Sequence, residues 1–246
     1  FMDDQNFTDV VFSLKANPEI TNVPPVDEDL NTTIEKTGVY AFEDEWPKAG
    51  DYDMNDVIVE YERKVYFDKK NIVTKIVDEF TPVHDGATYV NAFAYQIDAA
   101  QIGDKITLPE GAILEKETSS IIVMSNAKQN IGNKYVVTRE FNGSFLKNQL
   151  LSYNPYIIVK YSQGEQNRTE VHLPKHKATA YANQSLIGSN DDAYYIDRKG
   201  AYPFAIDIPM LGFTPVTERN RIDSQYPGFA TWAKSMGNDC KDWYKK

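Results

Sequence analysis

One cysteine, Cys240, in a chain of 246 residues excludes an intramolecular disulfide and any multi-cysteine metal site. Basic residues are also scarce, with 26 Lys and Arg set against 36 Asp and Glu for a formal net charge of −10. Nucleic-acid binding needs clustered cations to neutralise phosphates, so DNA and RNA are excluded as partners. No apolar run approaches the roughly 20 residues of a membrane-spanning helix, and no charged region leads a short apolar stretch as in a secretory signal. The chain opens inside an acidic motif, so an export signal or further domains are expected upstream. No Gly-x-Ser-x-Gly elbow, phosphate-cradling Gly-rich loop or locally supported Cys-His pair is present, which removes the sequence basis for the corresponding hydrolase and nucleotide chemistries.

What is present suits strands. The chain has 16 Tyr and 13% aromatic residues, and short β-branched or aromatic segments recur at 10–14, 57–61, 64–67, 72–76, 89–97, 121–123, 135–138, 157–161 and 204–208. Turn signals such as Asp85-Gly86 and Asn142-Gly143 separate them, which fits antiparallel hairpins better than βαβ crossovers. The expectation is one domain over 1–246, an antiparallel, jelly-roll-like β-sandwich with long loops and a short C-terminal helix. Residues 17–37 read as a polar surface connection. The helix is expected at 229–236, between Pro227 and Gly237, with Phe229, Trp232, Ala233 and Met236 buried along one face.

The densest chemistry lies in Asp51-Tyr52-Asp53-Met54-Asn55-Asp56, which runs directly into Val57-Ile58-Val59. Hard cations such as Ca²⁺ take about six to eight oxygen ligands, and carboxylates and a carboxamide at alternate positions supply several from one short arc. The pattern has an echo at Asp4, Asn6, Thr8 and Asp9, followed by Val10-Val11-Phe12. Asp51, Asp53 and Asn55 match the first three ligand positions of an EF-hand-like loop. The match then ends, because Asp56 replaces the glycine and Glu62 is carried away on a strand at roughly 3.3 Å per residue. The remaining ligands must come from elsewhere, with Glu43, Asp44 and the Asp4–Asp9 copy as candidates. An Asp/Asn-rich turn before a strand also forms without metal.

Phe42-Glu43-Asp44-Glu45-Trp46-Pro47, Gly50 to Val57, Asn91-Ala92-Phe93, Tyr202 to Pro209, Trp232-Ala233 and Asp242-Trp243-Tyr244 together resemble the LruC domain, a bacterial family. The resemblance runs over nearly the whole chain. It implies an exported surface β domain with a Ca²⁺ site at Glu43, Asp44, Asp51, Asp53, Asn55 and Asp56, and no enzymatic activity. The first copy departs from the motif at Asn6 and Thr8. A surface or adhesion module is therefore expected, exported to the cell surface or outer membrane, with a surface glycan or protein as partner.

Other constellations are weaker. His172 and His176 stand four apart, but Pro174 between them opposes a helical zinc pair, and a surface loop is expected there. Cys240, flanked by Asp239 and Asp242, has nothing nearby to activate it. The acidic, aromatic stretch Asp191-Asp192-Ala193-Tyr194-Tyr195-Ile196-Asp197 supports an alternative, a carbohydrate-binding module or glycan-acting enzyme in which Asp191, Asp192, Tyr194 and Tyr195 hold a sugar ring. An ordinary strand start accounts for Tyr194 and Tyr195 without a ligand.

Overall fold

The computed structural model describes residues 32–143, 145–188, 195–197, 199 and 201–245. Contacts divide the chain after Leu30, and the unit from Asn31 to Lys246 carries the fold described below. The 10–14 strand, the acidic copy at Asp4, Asn6 and Asp9, and Asp191, Asp192 and Tyr194 lie outside the described residues.

The chain forms two antiparallel sheets and two short helices. Three long strands, β1 (Thr32–Phe42), β2 (Val57–Phe67) and β3 (Val73–His84), make a meander. They are joined by β8 (Tyr135–Glu140), β5 (Lys105–Thr107) and β11 (Ala205–Ile208) in the order β11-β1-β2-β3-β8-β5. The second sheet combines β4 (Ala92–Gln96), β6 (Ile113–Glu115), β7 (Ser120–Met124), β9 (Asn154–Val159) and β10 (Thr169–His172) in the order β10-β9-β4-β7-β6. Aromatic rings join the two inner faces, as Phe93 of β4 meets Phe42 of β1 at 6.2 Å and Phe80 of β3 at 5.2 Å between centroids. This is a β-sandwich; along β3 every second residue from Ile76 to Pro82 is buried, whereas β7 and β9 are buried along their whole length.

Two local features show how tightly that core is filled. Tyr61 stacks on Tyr40 at 4.3 Å, and a Cβ at Gly38, its cross-strand partner, would lie 2.6 Å from the Tyr61 hydroxyl oxygen and from the Ile208 carbonyl oxygen. Gly38→Ala is therefore expected to destabilise the fold by about 1–3 kcal/mol through overpacking, read in urea unfolding; an unchanged midpoint would show that the rings can move aside. Deeper in, the carboxylate of Asp78 accepts hydrogen bonds from Arg63 Nε (2.8 Å), Arg139 Nη2 (3.0 Å) and the Tyr153 hydroxyl (2.9 Å). The Arg63 guanidinium lies over the Tyr153 ring, while Arg139 Nη1 donates to the Gln101 carbonyl.

Three expectations change. Residues 32–37 are the first half of β1, not part of a loop; they pair with β2 from Thr32↔Phe67 onward. Helix α2 (Phe229–Lys234), which follows the single turn α1 (Ile222–Gln225), buries Phe229 and Ala233, but Met236 is 66% exposed. The helix ends before Met236, which adopts a left-handed conformation. His172 is not on a surface loop, but fully buried on β10.

Candidate metal centre

The acidic loop lies where β1 leaves the sheet. Glu43 follows β1 directly and is held there by its N–H donating to the Phe204 carbonyl (2.9 Å). In the loop, Tyr52 and Met54 adopt left-handed backbone, φ 57° and 55°, so the chain curls and both N–H groups converge. They donate to the two oxygens of the Glu43 carboxylate, Tyr52 N to Oε2 at 3.1 Å and Met54 N to Oε1 at 2.6 Å. Gly50 permits this approach, since a Cβ there would lie 2.6 Å from Glu43 Oε2.

The curl gathers Glu43, Asp51 and Asp53, each offering a carboxylate oxygen within 4.8 Å of the others. Glu43 and Asp53 are buried and Asp51 is exposed. Asp53 also accepts from Arg219 N at 2.9 Å and from Asn55 N at 3.3 Å. Asn55 turns its Nδ2 to the Val216 carbonyl at 2.9 Å, and its buried Oδ1 has no hydrogen-bond partner. That oxygen faces Gly86, where a Cβ would come within 2.5 Å, and Gly86 N donates to the Asn55 carbonyl.

Asp44 and Asp56 form a neighbouring pair. Asp56 Oδ2 accepts from Asp44 N at 2.8 Å, and Asp44 Oδ2 accepts from Asn91 Nδ2 at 2.7 Å. A cavity of about 360 Å³ opens beside them, lined by Asp44, Glu45, Asp51, Asp56 and Glu218 with Tyr89. No described residue lining it is basic.

This concentration of carboxylates moves their ionisation. Burial pushes Asp56 up to about 8, with the charge of Asp44 adding to it. Burial likewise pushes Asp53 up to about 6 and Glu43 well above the usual carboxylate range. A buried carboxylate without a compensating cation favours its neutral form, so the loop as folded carries a standing electrostatic cost at neutral pH.

Six of the residues singled out in the sequence thus lie at one end of the sandwich, though in two subclusters. Glu62 stays on β2, paired with Lys64 Nζ at 2.6 Å. Val216, Glu218, Arg219 and Gly86 reach the loop only through tertiary folding, and no motif in the sequence ties them to it. Tyr195 is also placed elsewhere. It is fully buried, with its ring 4.7 Å from Trp46 and 5.2 Å from His172, so it presents no face to a sugar.

Comparison with known proteins adds a match over part of the chain and a fold. Residues 124–244 match the model of a family described as "Domain of unknown function (DUF4842)". That span begins at the end of β7 and leaves the acidic loop outside it. Among curated proteins none matches. The fold is similar to that of a protein from Bacteroides ovatus described as a "Putative lipoprotein", with a TM-score of 0.65 and 19% identity over 87% of this chain and 74% of that one. At that identity the likeness speaks for the sandwich alone.

Proposed function

We propose that the loop binds Ca²⁺ and that the chain is a non-catalytic module of an exported bacterial surface protein, in which the cation rigidifies the acidic end of the sandwich. The observation that carries this reading is the convergence of the Glu43, Asp51 and Asp53 oxygens within 4.8 Å, beside a cavity with no basic lining residue among those described. The donor set fits the ion. Every candidate ligand is a hard oxygen, and the orphaned Asn55 Oδ1 is a buried acceptor lacking a donor.

Bound there, Ca²⁺ would supply the positive charge that the carboxylates lack. The chain's own part is positional: the Tyr52 and Met54 N–H groups orient Glu43, Arg219 N orients Asp53, and Asp44 N orients Asp56. The LruC resemblance supports an exported, surface-associated setting, in keeping with the description of the protein of similar fold as a lipoprotein, and the partner proposed is a surface glycan or protein.

Calorimetric titration with Ca²⁺ and melting in Ca²⁺ against chelator test the site. A ligand at about 100 times its Kd stabilises a fold by about 2.7 kcal/mol, which for a chain this long raises Tm by roughly 5–11 °C. Asp53→Ala should abolish both signals. No heat of binding and an unchanged Tm in the wild-type chain would sink the proposal.

A further inference from the structure

The five-stranded sheet has a second buried polar network, on its outer face and separate from the acidic loop. His172 of β10 is fully buried, with its ring stacked on Tyr156 at 4.3 Å. Its Nδ1 is 2.7 Å from Asn154 Oδ1, and its Nε2 is 2.9 Å from Glu170 Oε2.

The hydrogen-bond directions around the ring are fixed from both ends. Asn154 Nδ2 donates to the Lys177 carbonyl at 2.8 Å and to Gln96 Oε1 at 3.1 Å, and Gln96 Nε2 donates to the Thr118 carbonyl at 2.8 Å. Backbone carbonyls only accept, so the Asn154 atom facing His172 is its oxygen. On the other side, Glu170 Oε1 accepts from Arg168 Nε (2.8 Å) and Thr179 Oγ1 (2.7 Å), and Oε2 accepts from Thr179 N (2.9 Å). Three donors independent of the ring thus converge on the Glu170 carboxylate, an arrangement that suits its ionised form. It faces the ring as an ionised acceptor.

Both ring nitrogens therefore point at oxygen acceptors. A neutral imidazole carries one lone pair, which would oppose an oxygen at under 3 Å whichever tautomer formed. We propose that His172 is a doubly protonated imidazolium at neutral pH and that its proton latches the strap of residues 173–183 onto the outer face of the sheet. Both partners of the ring hold that strap as well, Asn154 through the Lys177 carbonyl and Glu170 through Thr179. The strap continues along Arg168, whose N–H donates to Tyr181 O (3.0 Å) and whose carbonyl accepts from Asn183 N (2.8 Å).

Charge balance agrees. Arg168 makes a two-point pair with Glu115 at 2.6 and 2.8 Å and also binds Glu170, so two buried cations offset two carboxylates only when His172 is charged. Burial, with the charge of Arg168, pushes the ring down from its ordinary value and outweighs the hydrogen bond and charge of Glu170; against that direction stands the geometry, in which a neutral ring would aim a lone pair at an oxygen acceptor. The other titratable groups against the ring are the Tyr156 and Tyr195 phenols, both pushed up by burial, and nearby His176, pushed down by burial and by His172. None supplies an alternative proton at neutral pH. An imidazolium kept at neutral pH by these contacts contributes stability that is complete below the ring's ordinary pKa and is lost as pH rises through the folded value.

The chain has three histidines, so imidazole ¹⁵N–¹H NMR of the full chain is decisive once His84→Gln and His176→Gln have assigned the spectrum. One ring with both nitrogens protonated at neutral pH is expected. Its deprotonation on raising pH should lower the protection of the Thr179 amide about tenfold beyond intrinsic base catalysis. In His172→Gln that step should vanish; if this variant fails to fold, the wild-type titration still decides. A single protonated ring nitrogen at neutral pH overturns the imidazolium. Thr179 protection that does not follow the ring overturns the latch.

Discussion

Asp78→Ala is expected to lower stability by about 3–5 kcal/mol, because it removes one side of a buried charge cluster and leaves the other. Asp78 and Arg139 are 1% and 0% exposed, and Arg63 is 15% exposed at its side chain. Without the carboxylate, two guanidinium groups remain inside the sandwich against the Tyr153 and Phe141 rings and the Gln101 carbonyl, with no anion among these contacts. The Tyr153 and Tyr95 hydroxyls, at 2.9 and 3.4 Å, lose their acceptor in the same step. For a chain of this length the cost corresponds to a fall in Tm of roughly 6–20 °C. Tyr153→Phe, which removes one hydrogen bond to the charged group, should cost about 1.5–3 kcal/mol. Chemical denaturation of the three proteins settles the comparison; a loss below about 1 kcal/mol for Asp78→Ala would mean that water reaches the arginines.

In chelator, the folded chain is expected to lose stability as pH rises from about 4 to about 8. Asp53 and Asp85 sit at about 6 and Asp56 at about 8 in the fold, each raised chiefly by burial from an ordinary value near 4. Their stabilising protons are held in the folded state and released in the unfolded one across that interval, so unfolding becomes easier as pH increases. The rise at Asp56 corresponds to a loss on the order of 5 kcal/mol, shared with Asp44 because the two titrate as a pair. Millimolar Ca²⁺ should flatten the profile by favouring the ionised carboxylates. A chelated profile that rises with pH over this interval would contradict the burial of these groups, and a profile that Ca²⁺ leaves unaltered would contradict binding there.

Much of the sandwich was legible because short, continuous runs of β-branched residues at 57–59, 121–123 and 157–159 read as buried strands set between turn signals. The first half of β1 was not, because Thr33, Ile34, Glu35 and Lys36 are all exposed. Its pairing with β2 is backbone hydrogen bonding that leaves no apolar signature. Met236 continues the helical spacing of Phe229 and Trp232, but the helix stops before it, so periodicity placed it on the wrong side of the surface. At the acidic loop, alternating Asp51, Asp53 and Asn55 were visible, and Glu43 and Asp44 could be named as distant candidates. The left-handed turns at Tyr52 and Met54 and the arrival of 216–219 depend on tertiary contacts. His172 illustrates the same limit, since Asn154 reaches it from β9 and Thr179, which holds the Glu170 carboxylate, from the chain beyond β10.

The acidic loop is therefore not a portable cassette. An EF-hand loop can be grafted because its ligands lie in one continuous stretch. Here Glu43 seats the curl, Gly86 leaves room for Asn55, and Arg219 N and Ile222 N donate to Asp53 and to the Tyr52 carbonyl. Transplanting residues 50–57 into another sandwich would carry over the acidity without the geometry. A protein engineer who wants this loop elsewhere must move four separate pieces of chain, and one who truncates the chain before residue 216 dismantles it from the far end.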